Sequence, residues 1–176
     1  MIETELPDLP YSDIAEIIIS AEGSAAFEQL IRSGEVEQLA DQKQIAGLKA
    51  GLDIPARDYL RAMRIRGIVR DELRKLFAKV DVLVSPSRFR VASRVADRLD
   101  LPSQPSVAPK QNGLRRLIAA GNLAGLPALS LPCGFAGGLP VAVQLVGRPF
   151  SENNLLAMGV EFQRRTDWHR RRPPAL

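Results

Sequence analysis

The chain has 176 residues, 45% of them apolar, which suits one domain over residues 1–176 with a buried core. Its 24 basic and 20 acidic residues leave a net charge of +4, too slight an excess to argue for a nucleic-acid partner. One cysteine excludes an internal disulfide, and one cysteine with one histidine cannot assemble a typical zinc site, so neither metal nor cofactor is expected.

Residues 1–11 read as extended. The segment MIETELPDLP lacks the basic start and apolar run of a secretion signal, and no later segment approaches a membrane span. A cytoplasmic location with no membrane contact is therefore expected. Asp13, with Glu16 three residues on, predicts a helix cap, after which Ile14, Ile17, Ile18, Ala21 and Ala25 share one face. Phe27 and Ile31 begin a second helix that Gly34 stops, and a shorter helix is expected over Val36–Ala50, ending near Gly51.

Pro55 opens the longest predicted helix, which runs to about Lys79. Ala62, Ile65, Val69, Leu73, Leu76 and Val80 recur at steps of three or four and form its buried stripe. Arg57, Arg61 and Arg64 line one flank and Arg66, Arg70 and Arg74 another. Interspersed with Asp58, Asp71 and Glu72, these rows read as a solvated helix surface. Val82–Val84 is an apolar run suited to a strand covered on both faces. Residues 86–113, with Pro86, Pro102, Pro105 and Pro109, read as a long irregular stretch.

A short helix over Leu114–Leu123 enters a turn at Asn122 and Gly125. Strands follow at Ala128–Leu131 and Val141–Val146, joined through a Gly-Gly turn, with Pro127, Pro132, Pro140 and Pro149 marking element ends. Cys133 reads as a small buried residue at a strand end, and Gln144 as a buried amide bonded to backbone. Glu152–Arg165 is the last helix, anchored by Leu155, Leu156, Val160 and Phe162; the basic run Arg170–Arg172 reads as a solvated terminus. Short apolar runs alternating with helical stripes predict an α/β fold, with a partial mixed sheet flanked by helices.

The order N-L-A-G-L-P-A-x-S-x-P-x-G-F at residues 122–135, followed by G-L-P-V-x-x-Q-L-V-G-R-P-F at 138–150, resembles the C-terminal sheet region of the amidase signature family. The likeness extends upstream to Val80–Pro86 (VDVLVSP) and downstream to Thr166–Pro173 (TDWHRRRP), and is weakest over residues 87–113. The resemblance implies amide (C–N) hydrolysis by a serine nucleophile, a second serine and a lysine, carried in a Gly/Ser-rich run. No such run occurs here. Ser85, Ser87, Ser93, Ser103 and Ser106 are scattered among prolines and arginines, and Lys43, Lys49, Lys75, Lys79 and Lys110 lie in charged settings. No catalytic residue is therefore assigned to this chain. Cys133 has no partnering base, since His169, the single histidine, stands near the terminus.

The resemblance also implies a substrate-pocket wall. In the family the helix before the N-x-x-G-x-P turn faces the substrate tunnel. That places the pocket positions at Arg115 and Ala119, seven and three residues before Asn122, with Asn122 at the turn. Positions four apart share one helix face. The A subunits of glutamine-dependent tRNA amidotransferases are implied to carry an acidic residue where Arg115 stands, so the reversed charge argues against that activity and favours an acidic substrate. A surface arginine outside any pocket is the alternative.

Two functions remain open at this point. One is the C-terminal portion of an amidase-signature hydrolase, adding core and pocket wall but not catalytic alone, with a small-molecule amide as substrate only in the complete enzyme. The other is a free-standing α/β interaction or binding module of the same fold. Either predicts a partner: a chain supplying the N-terminal half, or self-association.

Overall fold

Helix α1 runs from Tyr11 to Ala26 and is the first element of a computed structural model that describes residues 1–88, 91–95 and 112–172, the side chains of 112–115 excepted. The helix starts two residues before the expected Asp13 cap. Pro10 precedes it with no side-chain cap, and Asp13 lies in the first turn. Tyr11 explains the shift: its ring is 1% exposed, and its hydroxyl donates to Pro7 O at 2.7 Å, so burial fixes the helix start.

A one-turn helix α2 (Glu28–Arg32) ends before Gly34, whose φ of +82° a side chain would resist. The expected helix over Val36–Ala50 is instead a 3₁₀ turn at Glu35–Gln38 and a helix α3 at Gln42–Gly51. Asp41 causes the break. Its carboxylate accepts from the Lys43 and Gln44 amides, which caps a new helix start. Helix α4 (Ala56–Phe77) follows Pro55 as expected, with Ala62, Val69, Leu73 and Phe77 buried.

Strand β1 (Val82–Pro86), helix α5 (Asn112–Ala124), strands β2 (Ala128–Ala136) and β3 (Leu139–Gly147) and helix α6 (Glu152–Arg165) complete the described elements. The expectation for residues 86–113 lies mostly outside the described residues. The sheet has the order β1-β3-β2. Both pairings are antiparallel, where a mixed sheet was expected. Gly137 and Gly138, with φ of +57° and +81°, close β2 and β3 into a tight hairpin, and β1 adds to the far side of β3.

Pro132 was expected to end a strand, yet it lies inside β2. It is tolerated because β2 is an outer strand and its register with β3 shifts between Pro132 and Gly134. Cys133 accordingly sits half-buried in that irregular stretch rather than at a strand end.

Helices α1, α4 and α5 bury Tyr11, Ile14, Ile18, Val69, Leu73 and Ala120 in one cluster. At roughly 2 kcal/mol per large buried side chain, this cluster is the main source of cohesion on the helical side. Strand alternation then splits the sheet. Leu83 and Val146 face the helices, against Phe77 and Leu117, while Leu131 and Leu145 face α6 and its Leu155. β1 is thus not covered on both faces: Val84, on the α6 side of this outer strand, is 50% exposed. Among the described residues no helix is long and apolar enough to cross a membrane.

Candidate functional site

The spacing of α5 decides which of its residues can meet a ligand. Leu117, Ala120, Leu123 and Ala124 are buried and turn the helix toward the core. Arg66 secures that orientation by donating from Nε to Leu123 O at 2.7 Å, so this arginine is a helix-to-helix tie and not part of a solvated row. Arg116 fixes the other end. Its Nη2 lies 2.9 Å from both Pro7 O and Asp8 Oδ1, and its guanidinium stands 5.5 Å over the Tyr11 ring.

With the core face set, Asn122 falls on the outward side of α5. Ala119 is half-buried at the edge of the helical core, and Asn122 is exposed. Arg115 belongs to the first turns of α5 by its backbone, while its side chain is outside the described residues. Of the three positions, Asn122 is the one whose side chain is described and exposed.

The sheet adds a polar row that the sequence reading missed. Ser85 pairs in register with Gln144, which pairs with Ser130 on its other side. Alternation puts this row on the helix-side face, beyond Leu83 and Val146. Ser87 lies on the same face; its Oγ is 2.6 Å from Ser130 Oγ, and its amide donates to Ala142 O at 2.8 Å. Ser85 Oγ is buried with no hydrogen-bond partner among the described residues. Gln144 is half-buried, short of the burial expected, because it faces small serines on both neighbouring strands. The signal was present: Ser85, Ser87 and Ser130 alternate with apolar residues at strand period, and only the strand register brings them together.

Among the described residues no serine hydroxyl is hydrogen-bonded to a lysine, histidine or carboxylate. Ser24 donates to Leu48 O at 2.7 Å and Ser151 to Arg148 O at 2.6 Å. Lys49 pairs with Glu37, and Lys75 with Glu72 at 2.6 Å. The Glu72 carboxylate raises the Lys75 pKa, the direction opposite to that needed for a neutral amine base. Burial raises the Tyr11 pKa, partly opposed by Arg116. His169 has a buried, unpartnered Nδ1 beside a cluster in which Arg171 lies 4.2 Å over Trp168 and Trp168 packs 6.1 Å from Phe135. No group of three or more metal-ligating side chains occurs among the described residues.

Comparison with known proteins accounts for this arrangement. The Amidase family profile matches residues 5–156. Over 117 residues the chain is 43% identical to the A subunit of the glutamyl-tRNA(Gln) amidotransferase of Synechococcus sp. (strain JA-2-3B'a(2-13)), covering 66% of this chain and 21% of that protein. Its counterpart of the same name in Desulforudis audaxviator (strain MP104C) is 40% identical over 116 residues, covering 66% and 22%. The chain thus matches about a fifth of the length of these curated relatives. Among solved structures, a bacterial aryl acylamidase of the amidase signature family superposes with a TM-score of 0.73 at 21% identity, over 96% of this chain and 36% of that one, a likeness of fold.

Proposed function

This chain belongs to the amidase family, and from that premise we propose that it is the C-terminal portion of an amidase-signature amide (C–N) hydrolase, supplying core and substrate-pocket wall without catalysing the reaction alone. The observation that carries the reading is the outward face of α5. Of the residues that the family resemblance assigns to the pocket, Asn122 is exposed on that helix and Ala119 is half-buried at the edge of the helical core. Amide hydrolysis needs a nucleophile, a base and oxyanion donors held together. In this reading all three come from a partner segment that faces α5 and the serine row, and the substrate lies between.

Arg115 sets the expected substrate class. Two curated relatives are named as components of a glutamyl-tRNA(Gln) amidotransferase. The positive charge at 115 disfavours a ligand amino group and suits a carboxylate, so the proposed substrate is an amide bearing an acidic group. The rival reading, a free-standing binding module of the same fold, draws on the closed helical core built by α1, α4 and α5.

The purified chain is expected to show no turnover of aryl amides or esters above background, and turnover abolished by changing one of its own serines or lysines would overturn the proposal. Searching the DNA immediately upstream of Met1 for an in-frame Gly/Ser-rich segment with a lysine separates the two readings. Finding it supports the hydrolase portion; its absence favours the module.

A further inference from the structure

A cavity of about 340 Å3 opens where the last turns of α4 meet the ends of α5 and β3. Leu73, Phe77 and Leu126 line its apolar part, and Arg70, Arg74 and Arg148 also border it. Arg74 has a structural explanation. It lies in the last turn of α4, where a cation opposes the negative helix end, and its Nη1 is 2.8 Å from Asp71 Oδ1. Arg70 and Arg148 have no such account: neither makes an ion pair or hydrogen bond through its side chain among the described residues.

Arg148 is also held in place. Ser151 donates its hydroxyl to Arg148 O at 2.6 Å, and Pro149 follows. Gly147 is so closely packed that an added Cβ would meet Ser151 Oγ and the Leu155 side chain. The backbone that carries this guanidinium is therefore pinned. The α4 and α5 C-terminal ends contribute about half a negative charge each, and Asp71 one more, which leaves the rim positive by about one charge. This cavity is separate from the proposed substrate wall, because Ala124, which lines it, stands about 200° around the α5 axis from Asn122.

We propose that this cavity binds a small organic carboxylate with an apolar body, its carboxylate between Arg70 and Arg148 and its hydrocarbon over Leu73, Phe77 and Leu126. The volume is within the ordinary range for small-molecule sites. Two arginine side chains on one rim suit a planar carboxylate, and the apolar lining sets an organic acid apart from an inorganic anion. The inference stands independently of the amidase reading.

The test is calorimetric titration of the 176-residue chain with 3-phenylpropionate, with 3-phenylpropanamide and inorganic phosphate as comparison ligands. The expected result is saturable 1:1 binding of the acid with Kd on the order of 1 mM, at least tenfold weaker binding of the amide and none measurable for phosphate. Arg70→Gln and Arg148→Gln should each weaken the acid about tenfold, as expected for losing one charge-assisted contact. Ala78→Trp, at the exposed rim, should block the cavity with both arginines intact, and thermal melts check that each variant is folded. Equal binding of acid and amide, phosphate binding as tight as the acid, or affinity unchanged in the folded variants would each overturn the proposal.

Discussion

The helical side and the sheet of this molecule are finished to different degrees. On the helical side α1, α4 and α5 enclose Tyr11, Val69, Leu73 and Ala120, each 1% exposed or less. In the sheet β3 is flanked on both sides, whereas β1 and β2 each present an edge with no described strand beyond it. Val84 is 50% exposed and Phe135 is 49% exposed on these outer strands. The helices also carry exposed large apolar residues, Ile19 at 62%, Leu60 at 54% and Ile68 at 51%, so what sets the sheet apart is its outer-strand edges, which offer backbone groups for pairing.

The largest effect expected is in the helical core. Leu73→Ala should cost about 3–4 kcal/mol in denaturant unfolding, because Leu73 is 1% exposed and packs in the cluster shared by α1, α4 and α5. Leu131→Ala, in the cluster beneath α6, should cost about 1 kcal/mol less, since that layer can settle around the loss. Equal costs would erase the contrast between the regions. Next in size is Gly51→Ala, where the added methyl meets Ser24 Oγ and lies 2.5 Å from Ser20 O at the α1–α3 contact. A loss of about 2 kcal/mol is expected there. At the hairpin tip Gly137→Ala has open space, and only its positive φ to strain, so about 1 kcal/mol is expected.

Association sharpens the comparison from the other side. The chain alone should dimerise or assemble further at micromolar concentration, as read by sedimentation. Val84→Lys combined with Phe135→Lys should shift it toward monomer, at a cost of about 1 kcal/mol in stability from the lost Phe135–Trp168 contact. A wild-type chain that sediments as a clean monomer would show that the sheet is complete as it stands.

The smallest effect is alkaline. Burial raises the Tyr11 pKa above its ordinary value of 10.0 in the folded chain. Its contribution to stability is therefore fully present below about pH 10 and is lost as pH rises through the elevated value. The urea midpoint should fall over that range, and Tyr11→Phe should flatten this part of the profile despite losing the bond to Pro7.

Much of this was legible because it is local. The stripe Ala62, Val69, Leu73 on α4, the Gly137–Gly138 turn and the strands on either side follow from period and punctuation within short windows. What was not legible depended on partners distant in sequence. Pro132 looked like a strand end because only the register shows that β2 is an outer strand with an irregularity there. Arg66 looked solvated because its acceptor, Leu123 O, is 57 residues away in sequence. The serine row failed for the same reason, since Ser85, Gln144 and Ser130 meet only across three strands. At the candidate wall, spacing named Arg115, Ala119 and Asn122 but gave no sign that Arg116, one residue from Arg115, anchors the N-terminal segment.

That anchor has a consequence for the order in which the chain acquires structure during synthesis. Arg116 bonds to Pro7 and Asp8, 109 and 108 residues earlier, and Ala120, Leu123 and Ala124 supply part of the cluster around Tyr11. Helices α1 and α4 therefore leave the ribosome with an apolar face that α5 helps to close. Nascent chains halted before residue 112 should remain protease-sensitive and bind chaperones, and protection should appear only once residue 124 has cleared the exit tunnel.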